Sequence, residues 1–219
     1  MTRKNKRARA ARKRAHEKDR YVREAGRIGA RSRAYFKLQH IDQKHKIFAD
    51  AQTVIDLGAS PGGWSQYAAS KVGPNGKVIA IDLLDMKEIA GVDFFQGDIT
   101  SSQVTERINS ALAGRGADAV LSDMAPNISG NCLVDARNYA EIYQAVFEVC
   151  GKALADGGSL VLKFFQTNES KQLKDLCSAV FAECRIQKPL SSRGASQESY
   201  IVAKGFNHCE YAVKQPLLL

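Results

Sequence analysis

The chain has 219 residues, 44% of them hydrophobic, which is enough for one α/β domain with a sizeable core and leaves no obvious room for two. No apolar run nears the roughly 18 residues of a membrane span, and the N-terminus is too basic to be a secretory signal, so a cytoplasmic protein with no membrane partner is expected. Of the net charge of +9, residues 1–37 carry fifteen Lys or Arg against Glu17, Asp19 and Glu24, a balance of +12, while the other 182 residues are close to neutral at −3.

The basic character therefore belongs to an arm, whose lysines and arginines suit a phosphate backbone and its condensed counterions. The five cysteines, at 132, 150, 177, 184 and 209, form no C-x-x-C pair and no Cys/His cluster, so reduced thiols and no structural metal are expected.

In chain order, residues 2–21 are rich in Arg, Lys and Ala, a composition that favours helix but repels itself, and Gly26 and Gly29 interrupt the stretch after it. Ser32 is a candidate N-cap for a helix through His45 that presents Tyr35, Leu38 and Ile41 to the body and carries Lys37. Val54-Ile55-Asp56-Leu57 then reads as a strand, Gly58-Ala59-Ser60-Pro61-Gly62-Gly63 as a tight turn, and Trp64 to Ser70 as a helix, the opening of a nucleotide-binding α/β unit. Glycine permits positive φ in such a turn and lets a ligand approach the backbone. Strands are predicted at 77–82 and 92–96, so that Asp56, Asp82 and Asp98 lie near the carboxyl ends of successive strands, on the ligand-binding edge of a parallel sheet.

Residues 101–116 read as a helix, 118–122 as a fourth strand delivering Asp123, and 135–154 as a long helix ended by Asp156-Gly157-Gly158. The fifth strand, 159–165, holds Lys163 between Leu162 and Phe164, where desolvation disfavours an ammonium unless it is paired or reaches water. A helix at 170–180 precedes two last strands, 183–187 and 198–203, joined as a hairpin through Pro189 to Gly194. Residues 206–219 are left as a C-terminal tail.

The turn spacing, G-x-x-x-G-G, leans away from the G-x-G-x-x-G of nicotinamide enzymes. A Gly-rich turn with Asp82 for a ribose diol and Asp98 for a base edge can hold an adenosine with a short polar attachment. S-adenosylmethionine fits, its sulfonium favouring a carboxylate such as Asp123.

Arg31-Ser32-Arg33-Ala34-Tyr35-Phe36-Lys37-Leu38, Asp56 through Tyr67, Ser122-Asp123-Met124-Ala125-Pro126-Asn127, Leu162-Lys163-Phe164-Phe165-Gln166, and Ser191-Ser192-Arg193 with Glu198-Ser199-Tyr200-Ile201-Val202 carry a family likeness. In order and content these segments resemble the FtsJ/RrmJ (RlmE-type) family of S-adenosylmethionine-dependent ribosomal RNA 2′-O-ribose methyltransferases. The resemblance runs from about residue 21 to Gly205, with Asp85 standing where a proline is expected. It implies a Rossmann-like class I methyltransferase fold, with a seven-stranded, mostly parallel sheet flanked by helices, over residues 31–205. Residues 1–30 would be an RNA-binding arm and 206–219 a tail.

The resemblance also implies a catalytic set of Lys37, Asp123, Lys163 and Glu198, and cofactor contacts at Gly62, Trp64, Asp82, Asp98 and Asp123. The implied substrate is a uridine of 23S ribosomal RNA in the large ribosomal subunit; a monomer is expected. A ribose 2′-hydroxyl is a poor nucleophile, so a base must take its proton, and a lysine can do so only when neutral. Lys163 is expected as that base, Asp123 as the carboxylate orienting it, Lys37 as the cation steadying the alkoxide, and Glu198 as a positioner. The readings weighed against this are methylation of transfer RNA, a messenger cap or another RNA, a non-catalytic ribosome-assembly factor on the same fold, and a nicotinamide-dependent oxidoreductase.

Overall fold

Strands rich in Val, Ile, Leu and Ala alternate with amphipathic helices along the chain, and each strand of the parallel part finds its neighbour by crossing over through a helix or loop. The computed structural model describes residues 20–126, 129–165, 170–189 and 198–214. The elements are α1 (20–28), α2 (Ala34–His45), β1 (Thr53–Leu57), α3 (Gly63–Val72), β2 (Lys77–Asp82), β3 (Val92–Gln96) and α4 (Ser102–Leu112). They continue with β4 (Ala117–Ser122), α5 (Cys132–Ala153), β5 (Leu154–Phe165), α6 (Ser170–Val180), β6 (Phe181–Gln187), β7 (Glu198–Phe206) and α7 (His208–Lys214).

The seven strands form one sheet in the order β3-β2-β1-β4-β5-β7-β6. Neighbours from β3 to β5 run parallel, and β7 runs antiparallel to both β5 and β6. The expected seven-stranded, mostly parallel sheet is present. The terminal hairpin is also present, but its second strand does not lie at the rim: β7 inserts between β5 and β6. Seven consecutive residues pair it to β5, Lys163 facing Tyr200 and Phe165 facing Glu198.

Because side chains alternate along a strand, each face of the sheet takes its own helices. Val54, Leu121, Val161, Tyr200 and Val202 pack on one face against Leu38 and Ile41 of α2 and Trp64, Tyr67 and Ala68 of α3. Ile55, Leu57, Val120, Leu160, Leu162 and Ile201 pack on the other against α4, α5 and α6. Helix α2 is further fixed by the buried Asp42, which accepts from the Tyr67 hydroxyl at 2.8 Å and from the Phe48 N–H at 3.2 Å.

Three local features differ from the sequence reading. Residues 20–28, placed with the arm, are helical through Gly26; Ala25 is buried and the Tyr21 ring lies 5.4 Å from Phe36 and 6.0 Å from His40. The break falls at Gly29, in the left-handed region at φ 68°. Ser32 caps one residue early, its Oγ accepting from the Ala34 N–H, while Arg33 holds the N-cap position. The region read as a tail contains α7, docked by Tyr211, which is 7% exposed. Residues 1–19 and 215–219, with Asn127, Gln166 and the Ser191-Ser192-Arg193 segment, lie outside the described residues. Among the described residues no helix is long and apolar enough to cross a membrane.

Candidate active site

Register alone brings the first side chains together. Lys163 and Tyr200 are cross-strand partners on β5 and β7, so they share a face, and Glu198, two residues from Tyr200, shares it too. Asp123 comes directly after β4, whose last residue, Ser122, pairs with Leu162, which sets its carboxylate beside Lys163. Lys37 comes from the α2 turn that covers this face and is 5% exposed.

The four predicted residues meet. Lys163 Nζ donates to the Asp123 carbonyl at 2.6 Å and stands 3.2 Å from its Oδ1. Lys37 Nζ is 2.9 Å from Glu198 Oε1 and 3.8 Å from Asp123 Oδ2. Two cations and two anions balance, so the nearly buried group carries no net formal charge, the condition under which burying ions is tolerable.

Sequence reasoning does not single out a fifth member, Tyr200, although it lies in one of the motif segments. Its hydroxyl donates to Asp123 Oδ1 at 2.7 Å, with Glu198 Oε1 at 3.2 Å. Burial, then the negative charges of Asp123 and Glu198, hold this phenol well above its ordinary pKa, so it stays a donor. Its spacing of two from Glu198, which puts both on one face of a strand, is the signal that could have found it. The Tyr200 ring also lies 5.6 Å from the Trp64 indole, whose Nε1 donates to the Ala34 carbonyl at 2.9 Å. Trp64, expected at the cofactor, is 2% exposed and joins the start of α2 to this cluster.

The remaining expected cofactor residues line the carboxyl edge of the sheet. Gly58 and Gly62 take positive φ, 74° and 103°, as the turn reading requires. The space a side chain would fill at each is taken by protein: Met124 at Gly58, and Ile89, Met86 and Arg31 at Gly62. Asp82 accepts from the Ser60 N–H and the Leu84 N–H, both at 2.8 Å, at the mouth of the turn. Asp98 is exposed and uses Oδ1 to accept from the Thr100 N–H and hydroxyl.

Asp56 lies beneath the turn at 1% exposure, with Oδ2 accepting from Ser65 Oγ at 2.5 Å and Oδ1 buried without a partner among the described residues. Burial raises its pKa to about 7, with the charges of Asp123 and Asp82 adding to the rise. Three carboxylates within electrostatic reach, one with an orphaned buried oxygen, make an acceptor-rich, negative site. That donor set fits a cationic ligand bearing N–H and O–H groups, as S-adenosylmethionine does.

A family model described as FtsJ-like methyltransferase matches residues 30–206. Among solved structures, this chain is similar to a Plasmodium falciparum protein provisionally designated a ribosomal RNA methyltransferase. The two share 28% identity and a TM-score of 0.71 over 80% of this chain and 98% of that one. Human methyltransferase-like protein 13, solved with S-adenosylhomocysteine, shares the fold at 11% identity and a TM-score of 0.52, over 78% of this chain and 82% of that one.

Proposed function

The chain belongs to the FtsJ-like methyltransferase family, with S-adenosylmethionine as its cofactor, and from that premise we propose that it methylates the ribose 2′-hydroxyl of a uridine in 23S ribosomal RNA. The observation that carries the chemistry is the convergence of Lys37, Asp123, Lys163 and Glu198, from four separated stretches of chain, next to the cofactor turn. The choice of ribosomal RNA rests on the motif resemblance, on the relative from Plasmodium falciparum and on the basic N-terminal residues, which suit a large phosphate-rich target.

In this reading S-adenosylmethionine would be held by the turn with Asp56, Asp82 and Asp98 and would supply an electrophilic methyl group. Lys163 Nζ, once it has given up its own proton and is the neutral amine, accepts the proton of the 2′-hydroxyl as the oxygen attacks. Asp123 holds that amine through its carbonyl and its carboxylate, and Tyr200 fixes the carboxylate by donating to Oδ1. Lys37, anchored by Glu198, places a fixed positive charge where negative charge develops on the oxygen.

The test is transfer of a labelled methyl group from S-adenosylmethionine to purified large subunits and to free 23S RNA, followed by mapping of 2′-O-methyl positions. A single uridine labelled in the subunit supports the proposal. Label confined to transfer RNA, to a base, or to no RNA overturns it.

A further inference from the structure

Arg31 sits between α1 and α2, in the segment that leads from the basic N-terminus into the domain, and it is bonded to two elements that flank the Gly-rich turn, helix α3 and the loop after β2. Its guanidinium donates from Nη1 to the Lys87 carbonyl at 2.6 Å and from Nη2 to the Glu88 carbonyl. Its backbone N–H donates to Gln66 Oε1 at 3.0 Å, while Gln66 Nε2 donates to the Gly29 carbonyl at 2.9 Å. One amide on α3 thus clasps the chain on both sides of residue 30.

The stem of Arg31 lies on the turn itself. A Cβ added at Gly62 would stand 3.0 Å from Arg31 Cδ, 2.7 Å from Ile89 Cδ1 and 2.8 Å from Met86 Sδ. The glycine therefore makes room for the arginine and for residues 86–89, which close over the same face. These residues belong to the loop after Asp82. Near its start that loop is tied to the turn by Ser60, whose N–H donates to Asp82 Oδ2 and whose Oγ donates to the Asp85 carbonyl at 3.3 Å. Its later part is held by the Arg31 fork.

We propose that Arg31 is a positioning residue for the cofactor: by spanning two successive carbonyls it sets the 83–89 loop, and with it the Asp82 carboxylate, against the Gly-rich turn. A planar fork can serve both carbonyls at once, which a lysine cannot. The inference rests on the cofactor assignment, and it gives a residue of the N-terminal basic run an effect on a small-molecule site.

The test uses the full chain as wild type, R31A and R31K, titrated with S-adenosylhomocysteine by calorimetry and assayed for methyl transfer at varied S-adenosylmethionine. Loss of two charge-assisted hydrogen bonds is expected to weaken binding in R31A about tenfold or more. KM for the donor should rise in step, with kcat at saturation nearly unchanged. R31K, which keeps the stem on Gly62, should fall between the two. Binding by folded R31A within twofold of wild type, or a fall in kcat with KM unmoved, overturns the proposal. Where R31A fails to fold by circular dichroism, R31K decides by the same twofold criterion. Wild type that binds no S-adenosylhomocysteine contradicts the cofactor assignment itself, not only the role of Arg31.

Discussion

Lys163 and Asp56 are both polar groups set into apolar strands, yet they carry opposite burdens. Lys163 is matched by Asp123, and its removal leaves the carboxylate with Tyr200 and Lys37, so the fold should tolerate the loss while the chemistry does not. Lys163→Ala is expected to cut single-turnover methylation by roughly 10²- to 10⁴-fold with S-adenosylhomocysteine affinity retained. Near-normal single turnover would remove the lysine from the base role. Asp56 has Ser65 as its one side-chain hydrogen-bond partner among the described residues, and its pKa of about 7 lies above the unfolded value near 3.9. The folded chain therefore keeps a proton that the unfolded chain has released, so the carboxyl costs stability increasingly as pH rises from about 4 to 7 and in full above that. Asp56→Asn should be more stable than wild type by roughly 4 kcal/mol at pH 8 and nearly equal to it near pH 4, in paired denaturant melts. Its cofactor affinity should fall. A variant no more stable at pH 8 would show that the unpartnered oxygen carries no cost. At this scale the sequence is informative where residue type is unusual, as with a lysine in an apolar strand. Residue type does not single out Tyr200, because a tyrosine in a buried strand looks like core, and only its spacing of two from Glu198 sets it apart.

At the level of elements, every strand is legible from its apolar run, and most boundaries differ by only a few residues. The β5 start differs most: Leu154 to Gly158 continue into the strand rather than ending α5 as a loop, because Leu154 pairs with Ala117 across a register shift. Helix α7 escapes because seven residues with one buried aromatic carry too little periodicity to read. Its docking is specific. At Gly151 of α5 a Cβ would run into the Tyr211 ring, whose hydroxyl would lie 2.7 Å away. Gly151→Ala gains about 1 kcal/mol of helix propensity but displaces a buried tyrosine worth roughly 2–3 kcal/mol. The net expectation is destabilisation by about 1–2 kcal/mol, with α7 cut early in limited proteolysis. An unchanged melting midpoint would show that α7 re-docks without loss.

For the whole molecule, charge is divided from chemistry: the carboxylates proposed to face the cofactor sit in a body of −3, and residues 1–19 hold nine Lys or Arg against Glu17 and Asp19. Removing those nineteen residues should leave the melting midpoint and S-adenosylhomocysteine binding intact. The same deletion should reduce the slope of RNA affinity against salt, each lost phosphate contact contributing about 0.7–0.9 to it. An unaltered slope would place RNA binding on the body instead. Sequence order could not reveal how β7 enters the sheet, since adjacent strands in the chain need not be adjacent in space. That insertion has a consequence for biosynthesis. Glu198 and Tyr200 lie on the last strand of the sheet to be synthesised, so a nascent polypeptide emerging from the exit tunnel places them beside Lys163 only after every other strand has been made. A product terminated before β7 would keep Lys37, Asp123 and Lys163 but lack Glu198 and Tyr200, the partners that anchor the first two.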